Sequence, residues 1–236
     1  MASVVGILRY GACWLISIAC AVLAIIAIPL DKQGRAFHAV ARFWAALILW
    51  VCGVQVKVNG LEKIDLSRNY VYVSNHASAL DIPAIILGLP QQIRVVYKKE
   101  LERIPIFGWG LKWGHYVGID RTHGADALKS LETAARKVAT GASVLLYAEG
   151  TRTPDGKLQP FKRGAFSLAV KAGVPVVPLT VNGSYGIFPR RSLEVRPGTV
   201  ELVLDMPVPT RENGKKAELE LMQYVSEAIK RNYVDQ

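Results

Sequence analysis

The sequence predicts an α/β protein: a layered, mostly parallel sheet with flanking helices, preceded by an N-terminal two-helix membrane hairpin. Three observations carry that prediction. Short runs of β-branched and aromatic residues recur from residue 54 onward, helical patterns separate several of them, and the longest uncharged stretch lies ahead of them all. Strands that alternate with helices imply parallel pairing, because each crossover helix returns the chain to the same end of the sheet. Strand order is not readable from such a pattern.

From Tyr10 to Leu30 no charged residue occurs, and such a run can cross about 30 Å of hydrocarbon. Arg9 stands before it as the basic end of a signal peptide would, but the run exceeds a usual signal core and has no clear A-x-A site. A second apolar run, Phe43 to Val54, is shorter, and the polar DKQGR segment between the two has Gly34 available to reverse the chain. The pair reads as a hairpin that either spans the bilayer or sinks into one leaflet, with Trp14, Trp44 and Trp50 placed for the lipid interface. Residues 1–53 are thus expected to form the membrane-associated hairpin and residues 54–236 the α/β domain. Cys13, Cys20 and Cys52 all lie in the apolar runs, with no CxxC. That is neither a disulfide framework nor a zinc site, and it suits a reducing, cytoplasmic compartment.

Expected strands follow in order at 54–58, 70–74, 93–97, 115–119, 143–147, 174–181 and 199–204, with helices at 79–88, 124–139 and 164–172. From Lys215 to Tyr233 the residues Leu219, Met222, Val225 and Ile229 recur at helical spacing, an amphipathic closing helix. Against 19 acidic residues stand 29 Lys and Arg, a net charge of +10, so the partners are expected to be anionic. Nucleic acid fits poorly: the aromatics sit in apolar runs instead of among basic residues, and no binding motif is present.

The segment VYVSNHASALDIPAI places His76 five residues before Asp81. On a continuous helix the two would lie about 140° apart, and on a continuous strand about 17 Å apart. They meet only if the chain turns between them. Strand 70–74, followed by Ser78 as an N-cap candidate, offers that turn. A carboxylate on one imidazole nitrogen sets the tautomer and stabilises the imidazolium, so the pair could deprotonate a hydroxyl. A structural histidine beside a helix-start aspartate fits the same spacing. With no GxSxG and no reactive cysteine nearby, the hydroxyl would be the substrate's. Polar residues at strand ends are where α/β sheets bind ligands. Here Arg121 and Arg152 could fork onto a phosphate, Gly150 and Thr151 could admit backbone amides to it, and Lys98 and Lys99 follow another strand. His115 and His123 lack a carboxylate at the needed spacing, and no metal site is expected.

Four segments in this order, NHASALD, KKELERIPIFGWGLKWGHYVGIDR, YAEGTRT and VPVVPLTVNGS, resemble the blocks of the glycerolipid acyltransferase family with its HxxxxD motif. The resemblance covers roughly residues 55–205. It implies that His76, oriented by Asp81, takes a proton from the free hydroxyl of 1-acyl-sn-glycerol 3-phosphate. That oxygen attacks the thioester of acyl-CoA or acyl-carrier protein, and the product is phosphatidic acid for phospholipid biosynthesis. It further implies that Arg121, Glu149, Gly150, Thr151 and Arg152 hold the glycerol phosphate; by charge, Glu149 suits a loop cation or a glycerol hydroxyl better than the phosphate. No cofactor is expected beyond the acyl thioester donor. The implied partners are lysophosphatidic acid, the thioester or its carrier protein, and the bilayer. The catalytic domain would face the cytoplasm, at the inner membrane in a bacterium. Another lysolipid acceptor, or a thioesterase with water as acceptor, would use the same residues. Ala148 replaces the family's usual proline, which would loosen a loop.

Overall fold

The computed structural model of the chain describes residues 3–119, 133, 135, 142–210 and 214–235. Seven strands form its sheet: β1 (Val54–Asn59), β2 (Val71–Ser74), β3 (Ile93–Lys98), β4 (Val117–Ile119), β5 (Ser143–Tyr147), β6 (Val176–Asn182) and β7 (Gly198–Leu204). Their order is β1-β7-β6-β2-β5-β3-β4. Every pairing is parallel except β6 with β7. That reversal arises because the link from Asn182 to Gly198 holds only a single helical turn, Ser184–Ile187, and no crossover helix. The central strands β2 and β6 are buried at every residue, whereas the edge strand β1 alternates half-buried valines with exposed polar residues. Both patterns follow from whether one or two faces are covered.

Alternate residues of each strand feed two apolar layers. On one face Tyr72, Leu145, Val177 and Leu202 pack with helices α2 (Arg35–Cys52) and α3 (Asp81–Gly88). On the other, Val71, Val73, Val144 and Leu146 pack with α5 (Gly164–Ala172) and α6 (Lys215–Asn232). The expected helix at 124–139 lies outside the described residues, apart from Thr133 and Ala135.

Helix α1 (Val4–Ala27) turns Gly6, Cys20, Ala21, Ala24 and Ala27 inward. Its large residues point out: Leu15 is 71% exposed and Ile26 59%. Helix α2 begins eight residues before the apolar run, at Arg35, because the Asp31 carboxylate accepts the amides of Arg35 and Ala36. Gly34 makes the reversal at φ 75°, where a Cβ would strike the His115 ring at 2.6 Å. Trp44 does not meet lipid as expected. Its Nε1 donates to Ser17 Oγ of α1 at 3.0 Å, so the ring lies between the two helices. Trp50 is 78% exposed. The Arg42 guanidinium of α2 donates to the carbonyls of Ile86 (2.8 Å), Leu89 (2.6 Å) and Leu87 (3.3 Å), closing the C-terminal end of α3. α4 (Phe107–Trp113) lies on α1, with a Cβ on Gly110 reaching 3.6 Å from the Ala21 carbonyl.

Candidate active site

Strands β2 to β6 share a direction, which β1 and β7 oppose, so the carboxyl ends of these five lie on one edge of the sheet. At that edge Asn75 replaces a ladder rung with its side chain. Its Nδ2 donates to the Val181 carbonyl at 2.9 Å, and its Oδ1 accepts the Val181 amide at 2.8 Å. The backbone of His76 is held at both ends: its amide donates to Glu149 Oε1 at 2.6 Å, and its carbonyl accepts the Thr153 amide at 2.9 Å.

The chain then turns. Asp81 Oδ2 accepts the amides of Ala77 (2.8 Å) and Ser78 (3.0 Å) and meets His76 Nδ1 at 2.7 Å. Ser78 does not cap the helix directly. Its Oγ accepts the Leu80 amide and donates to the Phe188 carbonyl, closing a turn that precedes α3. Asp81 is fully buried at the start of α3, and the His76 side chain is 15% exposed. With Nδ1–H donated to the carboxylate, Nε2 is left with its lone pair, the form a general base needs. The ring of Tyr147 stacks on the imidazole, centroids 3.8 Å apart and planes 13° from parallel. Burial, with the nearby Asp81 charge, pushes the Tyr147 hydroxyl well above its ordinary range, so the ring faces His76 uncharged.

Glu149 takes partners other than the loop cation or glycerol hydroxyl expected of it. Its two oxygens accept the amides of His76 and, at 2.9 Å, Gln159, and it is buried. Burial pushes its carboxyl up to about 7 despite those amides. It braces the loop under the base. Ala148 loosens nothing: its amide donates to the Ser74 carbonyl at 3.0 Å, a rung that proline could not supply. Gly150 adopts φ 76° over the Lys162 side chain, and Thr151 is exposed beside it.

Arg152 is half-buried, and burial together with the Arg190 charge holds its guanidinium below the ordinary arginine range. Arg190 Nη1 donates to the Arg152 carbonyl at 3.4 Å. The Arg190 guanidinium thus rests on the Arg152 backbone, near enough for its charge to act on the Arg152 side chain, and two such cations suit a multiply charged anion. Arg190 was not expected from the sequence, where it is one of a pair, Arg190-Arg191, in a loop with no motif. Arg121 and His123 lie outside the described residues. Lys98 ends β3, two strand steps or about 10 Å from β2, and its ammonium pairs with Glu100 at 3.0 Å. His115 packs edge-on against Phe37, a structural role.

An apolar cavity of about 130 Å³ lies between the N-terminal helices and the sheet, lined by Ala21 and Ala24 of α1, Ala41 of α2, Ile82 of α3, Val95 of β3 and Leu111 of α4. Ile82, the residue after Asp81 on α3, is the link between this cavity and the helix that carries the carboxylate. The arrangement thus combines a base for hydroxyl deprotonation, guanidinium groups for an anion and an apolar space for hydrocarbon.

Comparison with known proteins agrees with this chemistry. Residues 55–182 match the family profile described as Acyltransferase. A chloroplastic 1-acyl-sn-glycerol-3-phosphate acyltransferase from Brassica napus is 36% identical over 192 residues, covering 80% of this chain and 54% of that protein. The 1-acyl-sn-glycerol-3-phosphate acyltransferase of Pseudomonas aeruginosa is 34% identical, covering 82% of this chain and 77% of that one. The match spans about half the length of the chloroplast relatives. Among solved structures, the 1-acyl-sn-glycerophosphate acyltransferase PlsC of Thermotoga maritima superposes with a TM-score of 0.79 at 28% identity, covering 96% of this chain and 92% of that one.

Proposed function

We propose a reaction for this chain from the premise that it belongs to the acyltransferase family. The chain transfers an acyl group from acyl-CoA or acyl-carrier protein to the free hydroxyl of 1-acyl-sn-glycerol 3-phosphate, giving phosphatidic acid. His76 Nε2 takes the hydroxyl proton, and Asp81, 2.7 Å from Nδ1, stabilises the imidazolium that results. The freed oxygen attacks the thioester carbonyl. Collapse of the tetrahedral intermediate expels the thiolate, which recovers the proton from His76. Arg152 and Arg190, with Arg121 from the sequence pattern, hold the acceptor phosphate. Gly150 and Thr151 shape the loop beside it, Glu149 fixes the backbone of His76, and Lys98 stands further out along the same edge. The apolar cavity takes an acyl chain.

The large exposed residues of α1 enter the bilayer that holds the lipid acceptor. Because α2 and α4 cover one side of α1 along its middle, lipid cannot surround that helix without engulfing the domain. Entry into one leaflet fits this packing, and a donor thioester made in the cytoplasm puts the domain on the cytoplasmic side. The observation that carries the reading is the His76–Asp81 pair at the carboxyl edge of the sheet, joined through Nδ1, with Nε2 unengaged among the described residues.

The test is release of thiol from an acyl thioester with lysophosphatidic acid, with monoacylglycerol and with no acceptor. Release should need the phosphorylated acceptor, and Arg152→Ala should raise its KM while changing the weak monoacylglycerol rate little. Equal loss on both acceptors would contradict the phosphate role. Release at full rate without acceptor would make the chain a thioesterase.

A further inference from the structure

A second cleft, about 420 Å³ in volume, lies between α4 and the 3-10 helix Lys99–Arg103. No step of the proposed reaction uses it. Trp109 and Trp113 form one wall, 44% and 54% exposed, with ring centroids 6.1 Å apart. Leu101 is exposed beside them. An indole combines a large apolar body with a single polar N–H, so two exposed neighbours suit a boundary between water and hydrocarbon better than water alone.

The cleft lining carries three cations, Lys99, Arg103 and Lys112, against two carboxylates, Glu100 and Glu102, a net charge of +1. Glu100 pairs with Lys98, and Glu102 accepts the Tyr97 hydroxyl at 3.0 Å. Lys99, Arg103 and Lys112 line the same cleft, are exposed, and form no ion pair among the described residues. Its position sets the occupant. α4 rests on α1 at Ala21, and Phe107 at its start meets the Trp14 ring of α1 edge-on at 6.4 Å. The cleft therefore lies one helix away from the surface that α1 exposes, with the partly exposed Trp14 at the join.

We propose that this cleft is a second membrane contact, seating the headgroups of anionic phospholipids, with Trp109 and Trp113 at the acyl boundary and Lys99, Arg103 and Lys112 on the phosphates. The inference rests on the membrane reading of α1. It adds that the α/β domain itself grips the bilayer, so the catalytic edge is held at a fixed tilt and prefers membranes rich in the acidic lipids that such an enzyme consumes and makes. An acidic carrier protein would also match the cations, but it would have no need of indoles one helix away from a lipid-facing helix.

The experiment follows transfer of the full-length chain from donor vesicles to acceptor vesicles. The donors are phosphatidylcholine alone or phosphatidylcholine with phosphatidylglycerol. Arg103→Gln with Lys112→Gln should speed departure from the anionic donors by roughly fivefold per cation removed, the factor corresponding to ~1 kcal/mol per basic residue at an anionic surface. Departure from neutral donors should not change. Trp109→Ser with Trp113→Ser should speed departure from both. All variants should keep the wild-type rate on a short-chain lysophosphatidate in free solution, which shows that they fold. Variants that leave both kinds of donor at the wild-type rate would overturn the proposal. If they also lose rate only with a carrier-protein-linked donor, the cleft is an acidic-protein surface instead. Free departure of the wild-type chain from neutral vesicles would instead remove the membrane reading of α1 itself.

Discussion

The two N-terminal helices are both apolar enough to be read as membrane segments, yet they face different surroundings. α1 turns its small residues inward and its large ones outward. α2 leaves Phe43 and Trp50 exposed but also sends large residues inward: Ile48 and Leu49, with Ala45 and Cys52, join the core with the sheet and α3, while Arg42 closes the far end of the helix that carries Asp81. Hydropathy measures how apolar a segment is, but the side on which its bulk lies decides whether lipid or protein covers it. On the proposed reading α1 is the membrane element, and α2 packs into the body that carries the base. Removing residues 1–53 would uncover the face of the sheet and α3 on which Ala45, Ile48, Leu49 and Cys52 pack.

The sharpest way to break this contrast is to place a charge on each helix. Leu49→Asp buries an uncompensated carboxylate at a site 2% exposed, and should lower stability by about 3–5 kcal/mol. Leu15→Asp, at a site 71% exposed, should leave the melting temperature in detergent nearly unchanged and weaken retention on vesicles. Equal melting losses would erase the distinction between the helices. Next in size is Arg42→Met, which leaves the carbonyls at the end of α3 without their charged donor. It should cost about 2–3 kcal/mol by chemical denaturation, and an unchanged midpoint would show that α2 merely lies beside α3.

The smallest effect concerns the loop beneath the base. Glu149→Gln turns an amide N–H₂ toward one of two backbone amides, a loss of about 1–2 kcal/mol. It should also change the pH dependence. Glu149 holds its proton in the folded state up to about 7 instead of the ordinary 4.5. Its burial therefore lowers wild-type stability progressively as pH rises through that interval. Thermal melts across it should show a shallower decline for the Gln variant, and identical slopes would mean that Glu149 is not the buried acid.

Much of the fold was legible. Strand 143–147 and helix 164–172 fall where the periodicity puts them, and other boundaries move by one or two residues at most ends. Local chemistry also located the turn that joins His76 to Asp81, because the two are five residues apart and a strand end precedes them. What stayed hidden depends on distant partners. The support that Glu149 gives the His76 amide spans 73 residues, and the Asn75 rung to Val181 spans 106. The Tyr147 stack, the Arg190 neighbour of Arg152 and the Arg42 contact with α3 likewise join segments that only the sheet order brings together. Such contacts leave no periodic trace along the chain. The start of α2 was a different kind of omission: Asp31 signals a cap, but the hydropathy break at Arg35 and Arg42 masks the helix that follows.

The base and its carboxylate are the centre of the account, and the most direct test is His76→Ala in the full-length chain on vesicles. The measured quantity is phosphatidic acid formed from lysophosphatidic acid and acyl-CoA, with circular dichroism and melting recorded on the same sample. His76 meets Asp81 at 2.7 Å through Nδ1, and no other described imidazole stands at this edge of the sheet. The predicted result is a folded protein whose turnover falls by three to four orders of magnitude or more, roughly the scale of losing a catalytic base. A folded His76→Ala protein that forms phosphatidic acid at near wild-type kcat would contradict the mechanism.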